Sequence, residues 1–193
     1  MLTDYYQRII IFDGPDGTGK TNIAQGLRDR TNIPYFKFSG EADYWRKEQF
    51  RTALDFDQPF MLEYLKQTKV NLIWDRAWPS EWVYSRVFNR ETNKILLERL
   101  DAEYAKLGTW IVIPLRVDYS KNEKDDLVPP EKLQELHFGY NDFCKWTACN
   151  TLRIYVDTFQ NHLLSELDAI ASIVMAEPNE FKQDIIVENK RCA

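Results

Sequence analysis

The stretch RIIIFDGPDGTGKT, residues 8–21, decides how this chain folds. Its first half, residues 8–13, is short, apolar and rich in β-branched side chains, and it stops at a glycine, as a buried strand does. Beyond the glycines, residues 20–30 place Ile23, Ala24 and Leu27 on one helical face. Gly14, Gly19, Lys20 and Thr21 meet the pattern GxxxxGK[ST] in the strand–loop–helix setting that it requires. The glycines let the backbone reach positive φ, so that successive N–H groups can surround phosphate oxygens. The helix that follows aims the positive end of its dipole at the same anion. Lys20 is expected to reach the outer phosphates of a nucleoside triphosphate, and the Thr21 hydroxyl to ligate Mg²⁺. The expected cofactors are therefore ATP and Mg²⁺, held by Gly14, Asp16, Gly17, Thr18, Gly19, Lys20, Thr21 and Asn22.

Outward from that loop, strands and helices alternate. Residues 35–38, 70–75, 110–117 and 152–157 read as four further short strands. Residues 44–54, 59–68, 81–89, 92–107, 131–148 and 162–175 have helical spacing. This order predicts an α/β fold: a three-layer P-loop NTPase architecture with a five-stranded, mostly parallel sheet and helices on both faces. Pro114, inside the fourth strand, predicts a bulge or kink there. Residues 118–130 (DYSKNEKDDLVPP) are polar and charged, and read as a mobile lid. The expected organisation is one domain over residues 1–177 and a tail of unassigned structure over residues 178–193.

Composition narrows the function classes. The chain has 193 residues, enough for one domain with a sizeable core, and a formal net charge of −5. A mildly acidic chain argues against general nucleic-acid binding. No apolar run approaches the ~20 residues that span a bilayer, and the N-terminus lacks the features of a signal peptide, so a cytoplasmic location is expected. Three cysteines without a CxxC pair argue against a disulfide framework or a zinc site, and His137 and His162 are read as structural.

A second group of chemical residues lies at the end of the third strand. Ligands of open α/β sheets bind beyond the carboxyl ends of strands, which is where Asp75 and Arg76 fall. Asp75 suits a carboxylate that orients the Mg²⁺ shell, and Arg76 presents a planar fork suited to a phosphate. The alternative is a local ion pair that closes the strand. Asp13 and Asp16 flank the start of the loop. They are read either as facing metal-bound water or substrate hydroxyls, or as caps of loop and helix.

Together, IIIFDGPDGTGKT at residues 9–21 and DRAWPSEWVY at residues 75–84 resemble the thymidylate kinases and related P-loop nucleotide kinases. The deoxynucleoside kinases share a similar strand-end element. The resemblance implies that Asp16 lies near the sugar 3′-hydroxyl and the reacting phosphates, and that Arg76 holds the acceptor phosphate. Lys20, Asp16, Arg76 and Asp75 would be the catalytic set, with Thr21 and Asp75 at the metal. Ser80 and Tyr84 fill the motif's later positions, and Trp78 stands one place after the expected aromatic. Phe50 is implied as the ring that stacks on the acceptor base, Arg51 beside it as a base-edge or phosphate contact, and Lys37 as facing the acceptor phosphate. The family tends toward homodimers. One departure is plain: neither the loop nor residues 118–146 contain an arginine. Either Lys121 or Lys124 substitutes, or Arg86 or Arg90 swings in, or the chemistry is slow or altered.

The leading expectation is ATP- and Mg²⁺-dependent phosphoryl transfer to a deoxynucleoside monophosphate, dTMP or a modified pyrimidine nucleotide. The alternatives are a hydroxyl acceptor (a deoxynucleoside, or a hydroxymethylated base in DNA) and a regulatory protein that binds nucleotide without transfer.

Overall fold

The computed structural model describes residues 6–37, 53–119, 128–156, 163–177 and 181–187. The elements run β1 (Ile9–Phe12), α1 (Lys20–Thr31), β2 (Tyr35–Lys37), a π-helical turn (Ala53–Asp57) leading into α2 (Gln58–Thr68), and β3 (Leu72–Asp75). Then follow α3 (Trp78–Val87), α4 (Lys94–Lys106), β4 (Trp110–Arg116), α5 (Pro130–Trp146), β5 (Asn150–Val156), α6 (Leu163–Val174) and β6 (Asp184–Val187).

Among the described residues the sheet has six strands in the order β2-β3-β1-β4-β5-β6, and every pairing is parallel. The sequence reading predicted five. The sixth, β6, comes from the segment read as a tail, where Ile185 pairs with Leu152. A four-residue strand at a sheet edge, DIIV, is too short to show a period of its own. The predicted helix over residues 44–54 falls almost wholly outside the described residues.

Alternation along the central strands sends side chains to two cores. Ile9, Ile11, Trp74, Ile111 and Ile113 pack under α2–α5, while Ile10, Phe12, Ile73, Val112 and Leu152 pack under α1 and α6. A strand covered on both faces needs apolar residues at every position, which is why RIIIFD shows no alternation.

The expected bulge at Pro114 is absent. Registry between β4 and β5 runs unbroken from Trp110↔Asn150 to Arg116↔Val156. The Val112 carbonyl accepts from Asp13 N at 3.0 Å, so positions 112 and, two further on, 114 face the β1 side. There β1 has already turned into the loop, so the N–H that proline lacks removes no ladder bond. The Pro114 carbonyl instead abuts the loop. A Cβ added to Gly14 would lie 2.9 Å from it, and Gly14 has φ +151°, a region open essentially to glycine alone. Gly14→Ala is therefore expected to lower stability by about 2 kcal/mol and to weaken ATP binding together with it. A thermal melt and a nucleotide titration would check this, and a wild-type melting temperature would refute the steric argument.

Candidate active site

The carboxyl ends of β1 and β3 lie side by side, with Phe12 in register with Asp75. Each end releases its chain into a loop that starts a helix, so the two motifs of the sequence meet at the carboxyl ends of two adjacent interior strands.

The glycine loop wraps as its sequence predicts. Gly17 has φ 72° and Gly19 φ 78°, and Gly19 is the N-cap of α1. No acidic side chain lies in the first turn of α1, so its positive end carries no internal countercharge. Lys20 is buried and folds back over the loop, donating to the Pro15 carbonyl at 2.6 Å, with Asp16 Oδ1 at 4.0 Å. The Thr18 hydroxyl donates to the same carbonyl at 2.9 Å. Asn22 is exposed on the first turn of α1.

Thr21 and Asp75 are in direct contact. The Thr21 hydroxyl donates to Asp75 Oδ2 at 2.6 Å, and the Tyr35 hydroxyl donates to the same oxygen at 2.9 Å. Lys37 Nζ lies 3.4 Å from that oxygen and donates to Thr21 Oγ1 at 2.9 Å. Tyr35 and Lys37 are two apart on β2, hence on one face, and Lys37 is in register with Asp75. Burial, with the bond to Asp75 second, pushes the Tyr35 hydroxyl up to about 12, so it remains a donor at neutral pH. Asp75 is buried, and among the described residues its Oδ1 has no hydrogen-bond partner. One hydroxyl and one carboxylate are hard oxygen donors of the kind Mg²⁺ takes. Among the described residues no cluster of three or more His, Cys, Asp or Glu could form an all-protein cage. That suits Mg²⁺, which is usually held by one or two protein groups and completed by phosphates and water. Thr21 and Asp75 therefore fit the metal that the loop implies.

Arg76 adopts φ 67°, a left-handed conformation costly for a residue with a Cβ. Its N–H still donates to the Phe12 carbonyl at 2.9 Å, extending the β1–β3 pairing by one bond before the chain turns. The alternative reading, a local pair with Asp75, is not what Arg76 makes. Its guanidinium binds Asp16 Oδ1 across the cleft and reaches Ser80 Oγ at 3.4 Å. It also lies 5.8 Å from the centroid of the Tyr84 ring. The Tyr84 hydroxyl donates to Asp16 Oδ2 at 3.0 Å, so Asp16 is held by both motif residues.

Beneath this pair lies Asp13, fully buried. Its Oδ1 accepts from Gly14 N (2.9 Å), Ser80 Oγ (2.6 Å) and Tyr140 Oη (2.6 Å). Its Oδ2 accepts from Ser80 N (3.0 Å) and Ala77 N (3.3 Å). Of the two roles read for Asp13, capping is the one it fills: it satisfies the N-terminal amides of α3 and ties them to the loop. Ser80, expected at the acceptor, is buried beside Asp13 and supports Arg76 instead. Trp78 is likewise corrected. It opens α3 on the side turned toward α5, only 1% exposed, 5.4 Å from Phe143 and 6.2 Å from Trp146 between ring centroids. It is core packing, not a cleft residue. Tyr140 and Tyr35 were missed from the sequence. Tyr35 had a signal, a second polar tip two places before Lys37 on a short strand; Tyr140 had none.

Phe50, Arg51, Lys121 and Lys124 lie outside the described residues. The two ends of the expected lid are anchored: Tyr119 is buried, its hydroxyl accepting from Arg116 N at 3.2 Å, and Val128 is buried. Arg86 lies 3.5 Å from the Trp82 ring centroid, and Arg90 pairs with the buried Glu81 at 3.1 Å. Cys144 and Cys149 are buried free thiols.

Comparison with solved structures places this architecture. A YorR protein from Bacillus subtilis in complex with phosphorylated GDP matches with a TM-score of 0.60 and 20% identity, over 86% of this chain and 95% of that one. A deoxyadenosine kinase from M. mycoides with bound dATP matches at 0.52 and 18%, over 87% and 100%. A thymidylate kinase from Ehrlichia chaffeensis matches at 0.50 and 17%, over 89% and 100%. No family model matches the chain, and no curated protein matches it. The chain thus has the fold of the P-loop nucleotide kinases, as its two motifs implied. Among the described residues no helix is long and apolar enough to cross a membrane.

Proposed function

We propose that this protein is a kinase that uses ATP and Mg²⁺ to phosphorylate a small nucleotide, with a deoxynucleoside monophosphate, dTMP or a modified pyrimidine nucleotide, as acceptor. The observation that carries the reading is the contact of Arg76 and Tyr84 with Asp16. It puts a guanidinium and an aromatic ring beside the phosphate loop, where a protein that only sensed ATP would need neither. Kinases are also the proteins named in two of the structural matches.

In this reading the triphosphate lies along residues 14–21 with Lys20 on its outer phosphates. Mg²⁺ held at Thr21 and Asp75 would supply charge neutralisation across those phosphates. Arg76 would exchange its Asp16 contact for the acceptor phosphate, and Asp16 would turn to the sugar hydroxyl. An acceptor phosphate oxygen is already a nucleophile, so positioning and charge suffice. A hydroxyl acceptor would need a base. A nucleoside would also offer Arg76 no phosphate in exchange for its Asp16 contact, which favours the monophosphate. Residues 118–130 would close to exclude water.

The test is ADP release from Mg·ATP with a panel of deoxynucleoside monophosphates, deoxynucleosides and DNA. Release with monophosphates alone is expected. Release only with nucleosides would move the acceptor to a hydroxyl, and no release with any acceptor would refute a kinase.

A further inference from the structure

We propose that Lys37 is an exchangeable cation of the transfer site: its ammonium balances Thr21–Asp75 until metal arrives, then moves onto the phosphates. There it supplies positive charge that neither loop nor lid provides as arginine. This rests on the kinase reading above and adds to it a residue with two positions.

The geometry is specific. Thr21 Oγ1 donates its proton to Asp75 Oδ2 and accepts from Lys37 Nζ at 2.9 Å, so the ammonium is bound to the hydroxyl oxygen that a metal would need. The same nitrogen is 3.4 Å from Asp75 Oδ2. A divalent ion and an ammonium cannot share that space, because like charges about 3 Å apart repel by several kcal/mol even at a surface dielectric. Yet Asp75, buried, is costly without a countercharge. Lys37 provides one until the metal does. Its side chain is 44% exposed on a flexible four-carbon stem, so the ammonium can swing out without opening the core. Tyr35 stays behind on Oδ2 at 2.9 Å, and Oδ1, without a partner among the described residues, is left for the metal or its water shell. A lysine freed at this point lies beside Thr21, on the first turn of the phosphate-binding helix, and the triphosphate is the nearest strong anion it could meet.

Binding of Mn²⁺, a paramagnetic stand-in for Mg²⁺, followed by electron paramagnetic resonance, tests the exchange. Lys37→Met and Lys37→Gln should bind Mn²⁺ on the order of tenfold more tightly than wild type without nucleotide, since no ammonium competes. With a non-hydrolysable ATP analogue present, that difference should shrink, and with Mg·ATP and acceptor kcat should fall ~10²-fold. Asp75→Asn should abolish Mn²⁺ binding in either background. Unchanged or weaker Mn²⁺ binding in both Lys37 variants would overturn the exchange, as would tighter binding with kcat intact. If no acceptor is phosphorylated, the kinase reading fails while the nucleotide-free Mn²⁺ arm still reports on Lys37.

Discussion

Lys20→Ala is expected to lower kcat/KM by ~10³-fold or more, about 4 kcal/mol of transition-state stabilisation. Lys20 is a buried cation enclosed by a loop of backbone N–H groups and hydroxyls, with the Pro15 carbonyl at 2.6 Å and the Asp16 carboxylate at 4.0 Å. Its bond to the Pro15 carbonyl keeps the ammonium over the space that the loop encloses. A neutral carbonyl is a weak partner beside a triphosphate, so reaching the phosphates costs little. Removing the charge deprives the transferring phosphoryl group of the one cation that the loop itself supplies. Lys20→Arg should rescue little, because a longer planar fork does not fit a site with 6% exposure. Stability should change less than activity, since the Pro15 and Asp16 contacts of the lysine lie within the loop itself. ADP release and a denaturation curve on the same preparation separate the two effects. Retained turnover in Lys20→Ala would remove the loop from the chemistry altogether.

The sequence made some of this site legible and hid the rest for physical reasons. The loop was readable because its function resides in backbone conformation, and positive φ leaves a mark as glycine at Gly14, Gly17 and Gly19. The parallel sheet was readable because strands buried on both faces become continuous apolar runs. Arg76 gave no such mark: it takes φ 67° although a side chain makes that costly, held there by partners distant in sequence. The partner of each charge was equally hidden. Asp75-Arg76 looks like a self-contained pair, yet Arg76 bonds to Asp16, and Asp75 to Thr21, Tyr35 and Lys37. A left-handed residue rotates its side chain away from its neighbour's direction, and nothing in the spacing announces it. Trp78 misled because an aromatic near a motif serves a core as readily as a cleft. Which it serves depends on the helix face that α5 covers.

Asp13→Ala is expected to cost about 3–5 kcal/mol of stability, a large share of what holds a domain of this size together. The substitution leaves the amides of Gly14, Ala77 and Ser80 and the hydroxyls of Ser80 and Tyr140 without their acceptor, in a place closed to water. Unpaired buried groups are what make such losses large. Asp13→Asn keeps the volume but turns an amide NH₂ toward donors, so it should cost nearly as much. Tyr140→Phe deletes a single donor and should cost only about 1 kcal/mol. Burial, reinforced by the charge of Asp13, raises the Tyr140 hydroxyl well above its ordinary range, so this bond stays intact through neutral and mildly alkaline pH. Urea denaturation would rank the three variants, and an Asp13→Ala midpoint near wild type would show the network to be dispensable. The functional consequence follows from the connections. Asp13 fixes Ser80, Ser80 contacts Arg76, and Tyr140 ties Asp13 to α5. Loosening Asp13 in a variant that still folds should therefore raise KM for the acceptor more than KM for ATP, because the loop keeps its glycines and Lys20 while Arg76 loses the floor beneath it.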